Sequence, residues 1–246
     1  MKVALFVPCY IDQFYPQVGI ATFQLLQKLG VDVSVPDNQT CCGQPMANSG
    51  FAYLSRGCDE NFVDGFADFD YIVCPSGSCT LHIKEHVHAD GRDRETKHIR
   101  EHIKELTEFM TDVLHVEDLD ATFPHKVGLH QSCHGQRGLG LSQMTEVVAP
   151  EFSKPEHLLR MVKGIQLVEL DRRDECCGFG GTFCVTEEAV SAKMGIDRVA
   201  DHVRHGAEFI TAGDMSCLMH LEGILRRQKS ATQVIHIAQI LNGKLS

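Results

Sequence analysis

The chain has 246 residues, 43% hydrophobic and 23% charged, which is ordinary usage for a folded protein and is length enough for two modest domains or one domain of two halves. A formal net charge of -10 argues against nucleic acid, whose binding needs clustered Lys and Arg, and no apolar run approaches the roughly 18 residues of a membrane span. The apolar opening is cut by Pro8 and Asp12 with no small-residue cleavage site, so it reads as a first strand, and the chain is expected to be cytoplasmic with reduced thiols.

In chain order, residues 3–7 predict a strand, and Val18, Thr22, Leu25, Leu26 and Leu29 share one helix face. Residues 31–35 and 71–73 predict two more strands. Residues 83–120 are rich in charge and carry Ile99, Ile103, Leu106 and Met110 at helical spacing, which predicts an amphipathic helix joining two halves. In and beside that stretch His82 with His86, and His98 with His102, stand four apart; they form a metal clamp or, with no acidic or thiol group tied to them, a solvated face. Residues 127–129, 165–170, 209–210 and 234–235 predict the remaining strands. The fold class is therefore α/β.

The second half repeats the first. VALFVPC, a helix, VDVSVP, Cys-Cys-Gly, a helix and YIVCPSGSC are answered by VGLHQSC, a helix, IQLVEL, Cys-Cys-Gly, a helix and EFITAGDMSC. Two similar halves are expected, each a small parallel sheet flanked by helices: 1–115, with the linker helix, and 116–246.

Eleven cysteines in a reducing compartment point to metal ligation or redox chemistry, not to a disulfide framework. In each copy the cysteines follow a strand directly or lie in the loop after one, and open parallel sheets gather ligands outside the carboxyl ends of their strands. Cys9, Cys41, Cys42 and Cys79 are expected to converge in one copy, and Cys133, Cys176, Cys177 and Cys217 in the other. Thiolates select zinc, copper(I) or iron–sulfur clusters. Adjacent cysteines reach one ion only with strain, whereas a cluster offers each a different iron, so the doublets favour a cluster. Gly43 and Gly178 follow the doublets and allow sharp bends and close amide approach to sulfur.

Cys58 lies among apolar helix residues and reads as core. Cys184 lies near the second doublet, and Cys74 ends a strand beside Pro75 as either core or ligand. His130, His134 and Arg137 surround Cys133, placed to donate to sulfur, to bind a substrate carboxylate through Arg137, or simply to cap the next turn. Asp214 is an oxygen ligand or a helix cap. The chain has no phosphate-binding loop of the Gly-Lys-Ser/Thr kind and no Gly-x-Ser-x-Gly elbow.

Two Cys-Cys-Gly doublets, each with a lone cysteine upstream and another downstream, resemble the cysteine-rich CCG domains of heterodisulfide reductase B subunits and glycolate oxidase iron–sulfur subunits. The phrases CCGQP, VCPSGSC, HQSCHGQR, CCGFGGTF and GDMSC, with the bare two-repeat length, are most similar to the lactate utilization protein A family. That resemblance implies a part in oxidising L-lactate to pyruvate beside a ferredoxin-like iron–sulfur subunit and a third small subunit. The fuller CCG pattern ends in Cys-x-x-Cys, and here Ser76 and Asp214 stand where the first cysteine of that pair falls. Four thiolates per copy suit one or two ordinary 4Fe-4S clusters, or zinc; Cys74 is the candidate fifth ligand in the first copy. The expected function is an electron-transfer subunit, with a thiol–disulfide catalytic subunit or a zinc-stabilised structural subunit as the alternatives.

Overall fold

A computed structural model describes residues 1–243 of the chain, so the last three residues of the expected second half lie outside the described residues. The first half runs β1 (Lys2–Leu5), α1 (Cys9–Phe14), α2 (Pro16–Lys28), β2 (Asp32–Ser34), α3 (Gln44–Asn48), α4 (Arg56–Phe66), β3 (Tyr71–Cys74), α5 (Gly77–His86), α6 (Asp93–His102), β4 (Ile103–Glu105) and α7 (Leu106–Glu108). The second runs β5 (Lys126–Leu129), α8 (Lys154–Leu159), β6 (Gln166–Leu167), α9 (Phe183–Thr186), α10 (Glu188–Arg204), β7 (Phe209–Ala212), α11 (Met215–Gln228), β8 (Gln233–His236) and α12 (Ile237–Asn242).

Each half carries a four-stranded, wholly parallel sheet, ordered β2-β1-β3-β4 and β6-β5-β7-β8. The registers match across the repeat, since Val3 pairs with Tyr71 as Val127 pairs with Phe209. Strand order reverses beside β1 and β5, and a crevice opens at the carboxyl ends of such a pair. Parallel strands covered on both faces must be apolar throughout, which Ala4, Leu5, Ile72, Val73, Val127 and Ile210 satisfy by being fully buried.

Residues 83–120 do not form one joining helix. Helix α6 stops at His102 because Ile103 turns to an extended backbone, φ -73° and ψ 131°, and enters the first sheet as β4, with Ile103 opposite Ile72. The spacing of Ile99, Ile103, Leu106 and Met110 imitates a helix face, yet the four serve two cores: Ile99 and Ile103 pack with Phe6 and Phe66, whereas Leu106 and Met110 pack with Leu5 and Val127. Both the helix period and this strand-to-helix break bury the same positions, so spacing alone did not separate them.

The cores do not respect the repeat boundary. One cluster joins Val3, Leu25 and Leu26 to Val127, Leu158, Ile235 and Ile240, and another joins Ile11 and Val18 to Val199, Ile210 and Leu221. No helix among the described residues is long and apolar enough to cross a membrane.

Candidate metal centre

The loops after the strands carry the cysteines to one place. Cys9 opens α1 just past β1, Cys79 lies in the first turn of α5 past β3, and Cys41 and Cys42 lie between β2 and α3. In the second half Cys133 follows β5, Cys217 lies in the first turn of α11 past β7, and Cys176 and Cys177 precede α9. All eight line a single cavity of about 240 Å³ between the halves. Cys9 Sγ stands 3.9 Å from Cys41 Sγ.

Backbone amides are aimed at these sulfurs. Gly43 N donates to Cys41 Sγ and Gly178 N to Cys176 Sγ, both at 3.4 Å, and Phe179 N donates to Cys177 Sγ at 3.5 Å. The bends need left-handed backbone, φ 88° at Gly43 and 86° at Gly178, which glycine adopts without a Cβ penalty.

Soft donors this crowded fit a metal group. Hydrogen bonds from Cys42 and Cys9 pull the Cys41 thiol down to about 2, and those from Cys133 and Cys177 do the same to Cys176. The same pairs push Cys9, Cys42, Cys133 and Cys177 far above the ordinary thiol range, with burial adding to the effect. Neighbouring thiolates repel one another, a cationic metal relieves that repulsion, and an all-sulfur donor set selects iron–sulfur or zinc.

Of the other expected residues, His130 belongs to the site. It is buried, one ring nitrogen lies within 4.8 Å of the Cys177 and Cys217 sulfurs, and burial with the nearby Arg198 charge holds it down at about 3. His134 lines the cavity, with Nδ1 3.7 Å from Cys133 Sγ. Arg137 does not: its side chain is exposed and pairs with Glu146. Cys74 also stands outside the cavity lining. It is fully buried on β3, with Sγ 3.6 Å from the Ser76 carbonyl, because the pleat turns it into the core beside Phe6 and Ile72. Cys58 and Cys184 are likewise absent from the lining, the latter donating to the Gly181 carbonyl at 3.1 Å.

Asp214 caps a helix, though not its own. At the N-terminus of α11 it makes no cap there; its Oδ1 crosses the seam and accepts from Ser76 Oγ at 2.7 Å, Ser78 N at 3.0 Å and Ser78 Oγ at 2.9 Å at the start of α5. His98 and His102 each hold one ring nitrogen 2.8 Å from a backbone carbonyl and belong to no group of three or more metal-ligating side chains among the described residues. His82 is buried toward the doublet, near Cys41, and burial lowers it to about 4; His220 occupies the matching place near Cys176. The signal for both was the repeated Cys-x-x-His in Cys79–His82 and Cys217–His220.

A family profile described as a cysteine-rich domain, CCG, matches residues 3–84 and again 127–222. The chain is 41% identical over 247 residues to "Lactate utilization protein A" of Geobacillus thermodenitrificans, covering 98% of this chain and 99% of the relative. It is 40% identical over 248 residues to the protein of the same name from Bacillus subtilis, covering 99% and 100%. A crystal structure of a hypothetical protein from Helicobacter pylori shares the fold at a TM-score of 0.57 and 13% identity, covering all of this chain and 49% of that one.

Proposed function

Because this chain belongs to the lactate utilization protein A family and matches the cysteine-rich CCG domain twice, we propose that it is an iron–sulfur electron-transfer subunit of a complex that oxidises L-lactate to pyruvate. The observation that carries the reading is the convergence of four cysteines from each half on one cavity. Cys9, Cys41, Cys42 and Cys79 would hold one cluster, and Cys133, Cys176, Cys177 and Cys217 the other. A bound cluster supplies a one-electron store that thiols lack.

The chain's own residues do the rest. The amides of Gly43, Gly178 and Phe179 stabilise negative charge on sulfur, and burial of Cys42 and Cys177 keeps water from the inner side of each set. The partners on this reading are a ferredoxin-like iron–sulfur subunit and a third small subunit of the same complex. The Arg137 pairing with Glu146 speaks against a lactate carboxylate bound by that arginine.

Anaerobic purification followed by metal analysis tests the reading. A brown protein with roughly four irons and four sulfides per cysteine set is expected, giving an electron paramagnetic resonance signal on reduction. Stoichiometric zinc in a colourless protein overturns it and leaves a zinc-stabilised subunit.

A further inference from the structure

The two halves repeat one another in sulfur but not in what stands behind the sulfur. In the first half Phe6 at the end of β1 packs against Phe62 and Phe66 of α4, with ring centroids 4.9 and 5.7 Å away. The strand register that aligns Val3 with Val127 puts His130 at the place of Phe6. Buried positions run Asp59, Phe62, Val63, Phe66 in α4 and Gly195, Arg198, Val199, His202 in α10, so Arg198 and His202 replace the other two rings. Ser55 and Ser191 keep the same frame, each packed against the glycine of its doublet. Gly128, where the first half has Ala4, makes room: a Cβ there would stand 2.1 Å from His202 Nδ1.

Behind the second cysteine set, then, an aromatic floor has become a polar one. Arg198 is fully buried, donates from Nε to His130 Nδ1 at 3.2 Å and from Nη1 to the Arg172 carbonyl at 2.6 Å, and faces Asp201 at 3.4 Å. A guanidinium N–H is a donor at all working pH, so Nδ1 of His130 must accept and the ring proton must sit on Nε2. That nitrogen is buried with no partner among the described residues, on a ring whose ligand atom clusters with the Cys177 and Cys217 sulfurs. The same bond settles His130's role. Ligation through Nε2 would move the proton to Nδ1, against the Arg198 donor, so His130 offers the site an N–H and not a ligating lone pair.

We propose that the second site is the more easily reduced of the two, with His130 and Arg198 as positioning residues that hold its added electron. The proposal rests on the iron–sulfur reading above. Reduction adds negative charge near Cys177 and Cys217, which an N–H donor and the positive end of the Arg198–Asp201 pair stabilise; Phe6, Phe62 and Phe66 offer the first site neither. Asp201 does not cancel the effect, because its charge is shared with Arg204 and the amides of Asp171 and Arg172. An electron entering at the first site would pass to the second, one site oxidised as the other is reduced, with no bond broken and no proton moved.

Redox titration of the anaerobic protein, followed by electron paramagnetic resonance, tests this in wild type, His130→Phe, His130→Gln and the charge-neutral double variant Arg198→Met/Asp201→Asn. Two reduction steps are expected. His130→Phe and the double variant should each lower the upper step by about tenfold or more in equilibrium constant, ~59 mV for one electron, and leave the lower step in place. His130→Gln, which keeps an N–H toward sulfur and an acceptor toward Arg198, should restore most of that loss. Iron content and far-ultraviolet dichroism verify the fold of each variant. Loaded variants with both steps unmoved, or with the lower step moved instead, overturn this inference alone, whereas a wild-type protein without iron overturns it together with the reading it rests on.

Discussion

Gly178 shows how tightly the sulfur loops are held. A Cβ at this position would stand 2.7 Å from both Met194 Cβ and the Ser191 carbonyl oxygen, and the φ of 86° is one that other residues adopt only with strain. Strained backbone of this kind costs about 1–3 kcal/mol, and the neighbouring carbonyl is backbone that cannot swing aside. Gly178→Ala is therefore expected to lower the stability of the metal-free protein by at least about 2 kcal/mol. Gly43→Ala, whose Cβ would meet Ser55 Cβ at 2.7 Å, should behave alike. Urea unfolding measures both, and unchanged midpoints would refute the steric argument. At this scale much was legible in advance. Repetition alone singled out the eight cysteines that line the cavity and the two glycines that turn left-handed after the doublets, because thiol and turn both follow residue type. Arg137 and Cys74 were misplaced by sequence proximity, which says nothing of the direction a side chain takes once the pleat and a partner such as Glu146 have chosen it. His82 was weighed only as a helix-surface pair with His86, and His220 went unread because the two copies were not compared at that position.

Elements carry the coupling between the halves. The start of α5 is finished by a carboxylate from the other half, so Asp214 acts as a cross-seam cap for amide and hydroxyl groups that its own helix does not offer. Two effects compete when it is removed. Its Oδ2 is buried without a partner among the described residues, and losing that desolvated oxygen is favourable, but of the three donors on Ser76 and Ser78 only one hydroxyl could turn to the other at 3.2 Å, which leaves two unmet in a buried seam. Stranded buried donors cost about 1–3 kcal/mol, and two outweigh one. Asp214→Ala should destabilise the protein by about that amount, and Asp214→Asn, which keeps an acceptor, by clearly less. Equal denaturant midpoints for wild type and Asp214→Ala would show the cap to be idle. The parallel sheets were legible from the alternation of apolar runs with helices, whereas β4 was not. A three-residue strand flanked by helices gives no period of its own, and only the parallel pairing of Ile103 with Ile72 reveals it.

At the scale of the whole molecule, a repeat in sequence has become a shared interior. Helix α2 of the first half packs along α12 of the second, where Asn242 Nδ2 donates to Gln24 Oε1 at 3.0 Å, and Tyr15 reaches Glu222 at 3.0 Å. Leu25, Leu26, Leu158, Ile235 and Ile240 all sit in the core cluster common to both halves. Burying one such side chain contributes about 1.5–3 kcal/mol, so exposing several approaches the roughly 5–15 kcal/mol that keeps a domain folded. Segments 1–115 and 116–246, produced separately, are accordingly expected to give dispersionless amide spectra and no cooperative melt. Mixed, they should recover both, since the surfaces that each exposes are complementary. The site adds the same requirement from the other direction: a cavity lined by four cysteines from each half exists only when both rims are present. A segment 1–115 that melts cooperatively by itself would show that the first sheet owns a sufficient core, and the interior common to both halves would then contribute docking rather than folding.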